Sequence, residues 1–387
     1  MKEEGSHMRK MGKMVALMVA LMMVFSCAAL AEEDTIKIGG IAPLTGTVAN
    51  YGLLVQNGVN TYIDEINENG GIDGKKVVIE WMDDTGDAVE ATNAYNTLVS
   101  DGVAAVIGPV TTTPTLAVAS LAAKDNMPMI TASATAYAVT DAGSNVFRAC
   151  FLDPYQAGIM AEYAVSSLGA KTAAILYDNT DSYFIGLYEG FTEKAKELGL
   201  EIVATETAVS GDADYTAQLT KIADAEPDVV FVCYYYEDAA LILRQAKNDV
   251  GVEATLIGAD SWSGIAAQLE DEPELLDGTA YCDSFYADDD DETVKSFVAR
   301  FTDSHNGTAP QGFNALGYDA AKIMLTAIAN AGSTDKDAII AALKATDLDC
   351  ATGHITFDDH NDPIKSVCVM GFENGQLKLL DKIAPSK

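Results

Sequence analysis

One pattern constrains this chain more than any other: short apolar runs alternate with amphipathic helical stretches, and the whole alternation occurs twice. In the first series, strands over residues 36–41, 77–82, 104–107 and 129–130 alternate with helices over 51–68, 88–100 and 114–124. The second runs helix 155–168, strand 172–177, helix 183–198, strand 201–205, helix 215–224, strand 229–232, helix 237–249 and strand 255–257. Strands separated by whole helices pair as parallel neighbours, so each series predicts an α/β, doubly wound parallel sheet with helices on its faces. Such sheets take ligands beyond the C-terminal ends of their strands. Two series predict two lobes whose strand ends line one cleft. The later helices, over 292–304, 313–331 and 336–344, need a sheet to cover, and residues 353–357 read as a hairpin with 366–372. Lobe 1 is therefore expected over residues 32–150 plus 284–360 and lobe 2 over 151–283 plus 361–387, joined by three hinge crossovers.

The N-terminus is set aside first. Arg9, Lys10 and Lys13 precede an apolar run over 14–25, and Ala29-Leu30-Ala31 is a small-x-small cleavage site, so residues 1–31 read as a secretory signal. Gly5-Ser6-His7-Met8 reads as a cloning scar or a misplaced start, so residues 1–10 enter no fold argument. Cys27 leaves lipid anchoring open beside cleavage after Ala31, although Val24-Phe25-Ser26 matches the usual lipidation context poorly. No later run approaches the roughly 18 apolar residues that span a bilayer, so the mature chain is expected outside the cytoplasm, periplasmic or at the cell surface. Its formal charge of −34 repels nucleic acid and anionic headgroups. Cys150, Cys233, Cys282, Cys350 and Cys368 are odd in number and include no C-x-x-C pair, so one disulfide stays open but unassigned.

Residues 106–115, V-I-G-P-V-T-T-T-P-T, break a buried strand into hydroxyls and then open a helix. Thr113 suits the N-cap and Pro114 the first helical position. A helix beginning just past the end of a parallel strand aims free N–H groups and a partial positive charge at whatever lies there. Thr111, Thr112 and Thr113 add hydroxyl donors, and the lack of Lys or Arg between Val106 and Lys124 suits one carboxylate better than a phosphate. The plainer alternative is that the threonines only cap the helix. Other chemistry is sparse. Asp288 to Asp291 with Glu292 read as a solvated helix start, and residues 358–362 lack the glycine and closing acid of a calcium loop. His7, His305, His354 and His360 are scattered, and neither a dinucleotide loop nor a nucleophile elbow is present. No metal, cofactor or catalytic role is expected.

The segments 36–46 (IKIGGIAPLTG), 66–74 (INENGGIDG), Asp83-Asp84, Gly108-Pro109, Phe147-Arg148, Asp178-Asn179 with Tyr183, 243–246 (LRQA) and 353–358 (GHITFD) together carry a resemblance. Over residues 35–380 the chain resembles the periplasmic leucine/isoleucine/valine-binding protein family, the substrate-binding subunits of hydrophobic amino-acid ABC transporters. The resemblance implies the type I periplasmic-binding-protein fold and a monomer whose lobes close by a hinge over a free amino acid, Leu, Ile, Val, or Phe/Tyr, and deliver it to a membrane permease. It places the ligand carboxylate on Thr112 and Thr135, and the ammonium on Asp260 and the carbonyl of Ser133. It gives the side chain the rings of Tyr51, Tyr183, Tyr235 and Tyr318. Trp262, two residues after Asp260, either covers that pocket or simply packs. Two alternatives stay open: the same fold holding an amide, urea or another small polar solute, and a sensory module for a receptor.

Overall fold

The computed structural model describes residues 35–384. The secretory signal over residues 1–31, the cleavage after Ala31 and the anchoring through Cys27 all lie outside the described residues. Strands β1 (Ile36–Ala42), β2 (Val77–Asp83), β3 (Ala105–Ile107), β4 (Met129–Thr131) and β5 (Val146–Arg148) form a parallel sheet in the order β2-β1-β3-β4-β5. In the second sheet β6 (Thr172–Tyr177), β7 (Glu201–Thr207), β8 (Val229–Cys233), β9 (Thr255–Gly258) and β10 (Ala280–Asp283) are parallel in the order β7-β6-β8-β9-β10. Both sheets therefore reverse their winding between first and third strand, and a crevice opens at that point in each. Strand β8 shows why the pairing is parallel: Val-Val-Phe-Val-Cys is buried along its whole length, as a strand covered on both faces must be.

After β11 (Asp347–Cys350) and β12 (Gly353–Thr356), which pair with each other, β13 (Val367–Glu373) and β14 (Gln376–Ile383) extend the second sheet antiparallel beyond β10. The hairpin expected between 353–357 and 366–372 does not form. Each segment finds a nearer partner, β12 across a tight turn from β11 and β13 from β14. Strands β5, β10, β11 and β14 are additions to the expected series, each short or placed at an edge where the apolar pattern is weak.

Helix Gly312–Ala331 covers the first sheet by crossing helix Ala49–Glu68 at very close range. A Cβ on Gly58 would lie 2.0 Å from the Asn314 carbonyl oxygen, and one on Gly317 would lie 2.3 Å from that of Val55. Only glycine at both positions allows the approach, and Asn314 Nδ2 fixes its register by donating to the Leu54 carbonyl at 2.8 Å.

The chain passes between the sheets three times: after β5, after β10 and before β13. At the third passage residues 361–365, expected in the second lobe, are held to the first. Asn361 Nδ2 donates to the Val146 carbonyl at 3.0 Å, Asp362 pairs with Arg148 at 2.6 Å, and Lys365 Nζ donates to the Ala149 carbonyl at 3.0 Å. These groups are buried, and a buried charge stays with its partner. All five described cysteines are free and buried, so no disulfide forms among them.

Candidate functional site

The winding reversals of the two sheets face each other, and the residues that follow the strands there enclose one cavity. From the first sheet come Tyr51 after β1, Val110, Thr111 and Thr112 after β3, and Ser133 after β4, with Phe313 from the crossing helix. From the second come Tyr183 after β6, Tyr235 after β8, and Asp260 and Ser261 after β9. The free volume is small, about 20 Å³, roughly the room of one water. With the lobes in this arrangement the cavity has no room for a solute larger than that.

Bonds across the cleft hold them together. Tyr51 donates its hydroxyl to the Ser261 carbonyl and accepts the Tyr236 N–H at 3.2 Å. The Tyr236 hydroxyl donates to the Thr47 carbonyl at 2.9 Å, and Thr113 Oγ1 donates to Asp181 Oδ1 at 3.4 Å. Aromatic rings line the remaining wall. Tyr51 stacks on Phe313 with centroids 4.6 Å apart, and Tyr183 lies nearly parallel to Tyr235 at 5.7 Å.

The first-lobe corner is rigid because hydroxyls hold its carbonyls. Thr131 Oγ1 donates to the Pro109 carbonyl at 2.6 Å, Ser133 Oγ to that of Val110 at 2.8 Å, and Thr115 Oγ1 to that of Thr111 at 2.7 Å. The helix opens at Thr112, with Thr111 as N-cap, so the expected cap at Thr113 is displaced by two residues. Thr111 and Thr112 line the cavity, so the N-terminus of this helix lies at its wall, where a ligand anion would find its first N–H groups.

Asp260 is the cavity's charged group. Its carboxylate accepts the Tyr183 hydroxyl at 2.5 Å, and its N–H donates to Gln156 Oε1 at 3.1 Å. Burial pushes its carboxyl up to about 6, opposed by the hydrogen bonds of Tyr183 and Gln156. Behind it Gln156 Nε2 donates to Asp153 Oδ1 at 3.2 Å. Asp153 is buried and pushed up to about 8, chiefly by desolvation with the Asp260 charge adding to it.

Six of the expected site residues meet here: Tyr51, Thr112, Ser133, Tyr183, Tyr235 and Asp260. Three do not. Thr135 lies buried beside Asp153, where its hydroxyl favours the charged carboxylate without forming a hydrogen bond of good geometry. Trp262 is fully buried and donates Nε1 to the Val232 carbonyl at 3.2 Å, so it packs the second lobe and does not cover the pocket. Tyr318 points away: its hydroxyl donates to Glu65 Oε2 at 2.8 Å, and its ring meets Tyr62 at 5.0 Å and Phe297 at 4.7 Å. Phe313 stands where Tyr318 was expected. Five residues turn a helix by about 140°, so the two rings cannot share a face. The aromatic directly after the helix-opening Gly312 was the available signal for Phe313. Ser261 and Val110 act through backbone and apolar contact, which single-sequence reading does not distinguish. Tyr318→Phe is expected to cost about 1 kcal/mol of stability and to leave ligand affinity unchanged in calorimetric titration. A clear loss of affinity would return Tyr318 to the pocket.

A model of the periplasmic binding protein family matches residues 35–376. The chain belongs to that family. The binding protein is 34% identical over 349 residues to the Leu/Ile/Val-binding protein BraC3 of Rhizobium johnstonii, covering 89% of this chain and 93% of the relative. It is 30% identical over 333 residues to the leucine-, isoleucine-, valine-, threonine-, and alanine-binding protein of Pseudomonas aeruginosa, covering 85% and 87%. Among solved structures it is similar to the branched-chain amino acid transporter substrate binding protein LivJ of Streptococcus pneumoniae in complex with isoleucine. The TM-score there is 0.85 at 31% identity, covering 91% of this chain and 100% of that one. The expected type I fold with two lobes is thereby shown.

The buried acids give the binding protein a pH dependence of known sign. Burial raises Asp84 and Asp283 to about 7, beside Asp260 at about 6 and Asp153 at about 8. Each lies above its unfolded value, so the native state binds more protons and stability rises as pH falls from about 8 toward 4. Below that, carboxylates held low reverse the trend, such as Asp228, which accepts the N–H groups of Lys171 and Thr172. The melting temperature of the unliganded protein is therefore expected to be higher at about pH 5.5 than at pH 8. The opposite slope in a calorimetric scan would show these acids to be paired in solution.

Proposed function

We propose that this protein captures a free amino acid with an aliphatic or aromatic side chain outside the cytoplasm and delivers it to an ABC permease. The observation that carries the reading is Asp260, a buried carboxylate on one lobe facing, across an aromatic-lined cavity, the N-terminus of helix Thr112–Asp125 on the other. A zwitterion matches that pair of ends. Its ammonium takes Asp260 and the Ser133 carbonyl, and its carboxylate takes Thr112, the free N–H groups beside it, and Thr135 once Asp153 yields. Tyr51, Tyr183, Tyr235 and Phe313 enclose the side chain. Because the charged partners are split between lobes, both ligand charges are satisfied only on closure, and an unsatisfied buried charge is costly. The names of the relatives, which speak of leucine, isoleucine and valine and in one case also of threonine and alanine, support a free amino acid as the ligand. We place the lobe boundaries near residues 150, 283 and 366, the last moved from 360 by the anchoring of residues 361–365.

The test is a thermal-shift screen of the purified protein, unfolded and refolded to strip carried-over ligand, against the twenty amino acids with amides and urea beside them. Ligand at a thousand times its dissociation constant should stabilise by about 4 kcal/mol. Response to a few amino acids sustains the zwitterion seat. Response to amides or urea alone would overturn it, since neither brings a cation to Asp260.

A further inference from the structure

We propose that Thr111 reads a hydroxyl on the ligand's side chain, so that the cleft selects threonine or serine over apolar isosteres. The inference rests on the zwitterion seat described above and departs from that reading in the side chain, which becomes a short hydroxyl-bearing one in place of an aliphatic or aromatic one.

An N-cap threonine ordinarily accepts a hydrogen bond from the N–H of the second or third helical residue. Here the third helical residue is Pro114, which has no N–H, and Thr111 makes no side-chain cap. The Thr111 carbonyl is occupied by Thr115, through its N–H at 3.2 Å and its hydroxyl at 2.7 Å. The two preceding carbonyls are held by Thr131 and Ser133. The backbone is thus fixed and the hydroxyl uncommitted. Thr111 is only 8% exposed, yet its Oγ1 is buried without a hydrogen-bond partner. A buried hydroxyl in that condition is destabilising unless something else satisfies it.

Its position says what would. Thr111 and Tyr235 line the cavity and also a neighbouring chamber of about 280 Å³, whose walls include none of Thr112, Ser133 and Asp260. They form the side of the seat away from the groups that hold the two ligand charges. The third substituent on the ligand's α-carbon points there. Its other neighbours are Val110, Phe313 and the ring of Tyr235, so the hydroxyls of Thr111 and Tyr235 are the polar groups on that side, and of the two it is Thr111 Oγ1 that is buried without a partner. A site built to hydrogen-bond a ligand hydroxyl rejects the isostere lacking it far more strongly than an apolar pocket rejects the hydroxyl.

The experiment crosses two isosteric exchanges. L-threonine and L-valine are titrated calorimetrically into the wild-type protein and into Thr111→Val, with Thr111→Ser as the hydroxyl-retaining control. Wild type is expected to bind threonine about tenfold more tightly than valine. Thr111→Val should lose about that factor for threonine while holding valine as well or better, and Thr111→Ser should keep the threonine preference. Equal loss of both ligands in Thr111→Val would overturn the proposal by making Thr111 a carboxylate donor. An unchanged threonine-to-valine ratio would also overturn it, leaving the hydroxyl to water. If folded wild type bound neither threonine nor valine but another amino acid in the twenty-member screen, the proposal would fall and the zwitterion seat would stand; binding no amino acid at all would remove the seat itself.

Discussion

Asp260→Ala is expected to raise the dissociation constant for the amino acid at least about a hundredfold, a loss on the order of 3 kcal/mol or more. The size follows from burial. Asp260 is 5% exposed, and the closed cleft offers the ligand ammonium no other carboxylate on its wall. Deleting it strands a buried cation. Asp260→Asn keeps the volume and the Tyr183 bond but removes the charge, so it should lose nearly as much. The same group sets a pH limit. Its carboxyl is raised to about 6 in the free protein, so it must give up a proton to receive an ammonium at lower pH. Affinity should fall as pH drops below about 6, up to tenfold per unit, and the dependence should vanish in Asp260→Asn. Titration calorimetry at pH 5 and 7.5 reads both effects. Wild-type affinity in Asp260→Ala would remove Asp260 from the site.

The second large effect lies at the hinge. Arg148→Met is expected to destabilise the fold by about 3–5 kcal/mol, seen as a lower denaturant midpoint. Arg148 is fully buried at the end of β5. Its Nε donates to Asp362 Oδ1 at 2.6 Å, one terminal nitrogen to the Ala134 carbonyl at 2.8 Å, and the other to Ala136 at 2.8 Å and Thr140 Oγ1 at 2.7 Å. Methionine fills the stem and leaves Asp362 buried and unpaired; burial already pushes that carboxyl up against the pull of Arg148. The double variant Arg148→Met with Asp362→Leu removes both charges and should recover much of the loss, because a buried pair replaced by apolar groups is often neutral. A single variant within about 1 kcal/mol of wild type would mean that water reaches Asp362.

What the sequence made legible follows from how local each feature is. The parallel strands and their helices carry their own periodicity, so the repeated winding was readable from apolar spacing. Tyr51, Thr112, Ser133, Tyr183, Tyr235 and Asp260 were named through the family resemblance, and all of them follow strands that meet the cleft. Phe313 and Tyr318 are different. Their faces depend on how helix Gly312–Ala331 crosses helix Ala49–Glu68, a choice made by Gly58 and Gly317 from distant parts of the chain. Residues 361–365 were misplaced for a like reason. Nothing in Asn361-Asp-Pro-Ile-Lys365 itself points to the first lobe, and only the buried bond of Asp362 to Arg148, more than two hundred positions away, ties it there. Thr111 fell between the two: its hydroxyl was noticed, but the absence of a cap bond becomes visible only once the helix is seen to begin at Thr112.

The anchoring of residues 361–365 also sets how the lobes can move. Lys365 is tied to the first lobe through the Ala149 carbonyl and Thr352 Oγ1, and Val367 already begins a strand of the second sheet. Between two fixed bodies lies one residue, Ser366. One residue supplies two soft torsions, so this strap behaves as a flexure with a defined axis. An opening of the lobes is therefore expected to turn the chain about Ser366 more than to slide one sheet past the other.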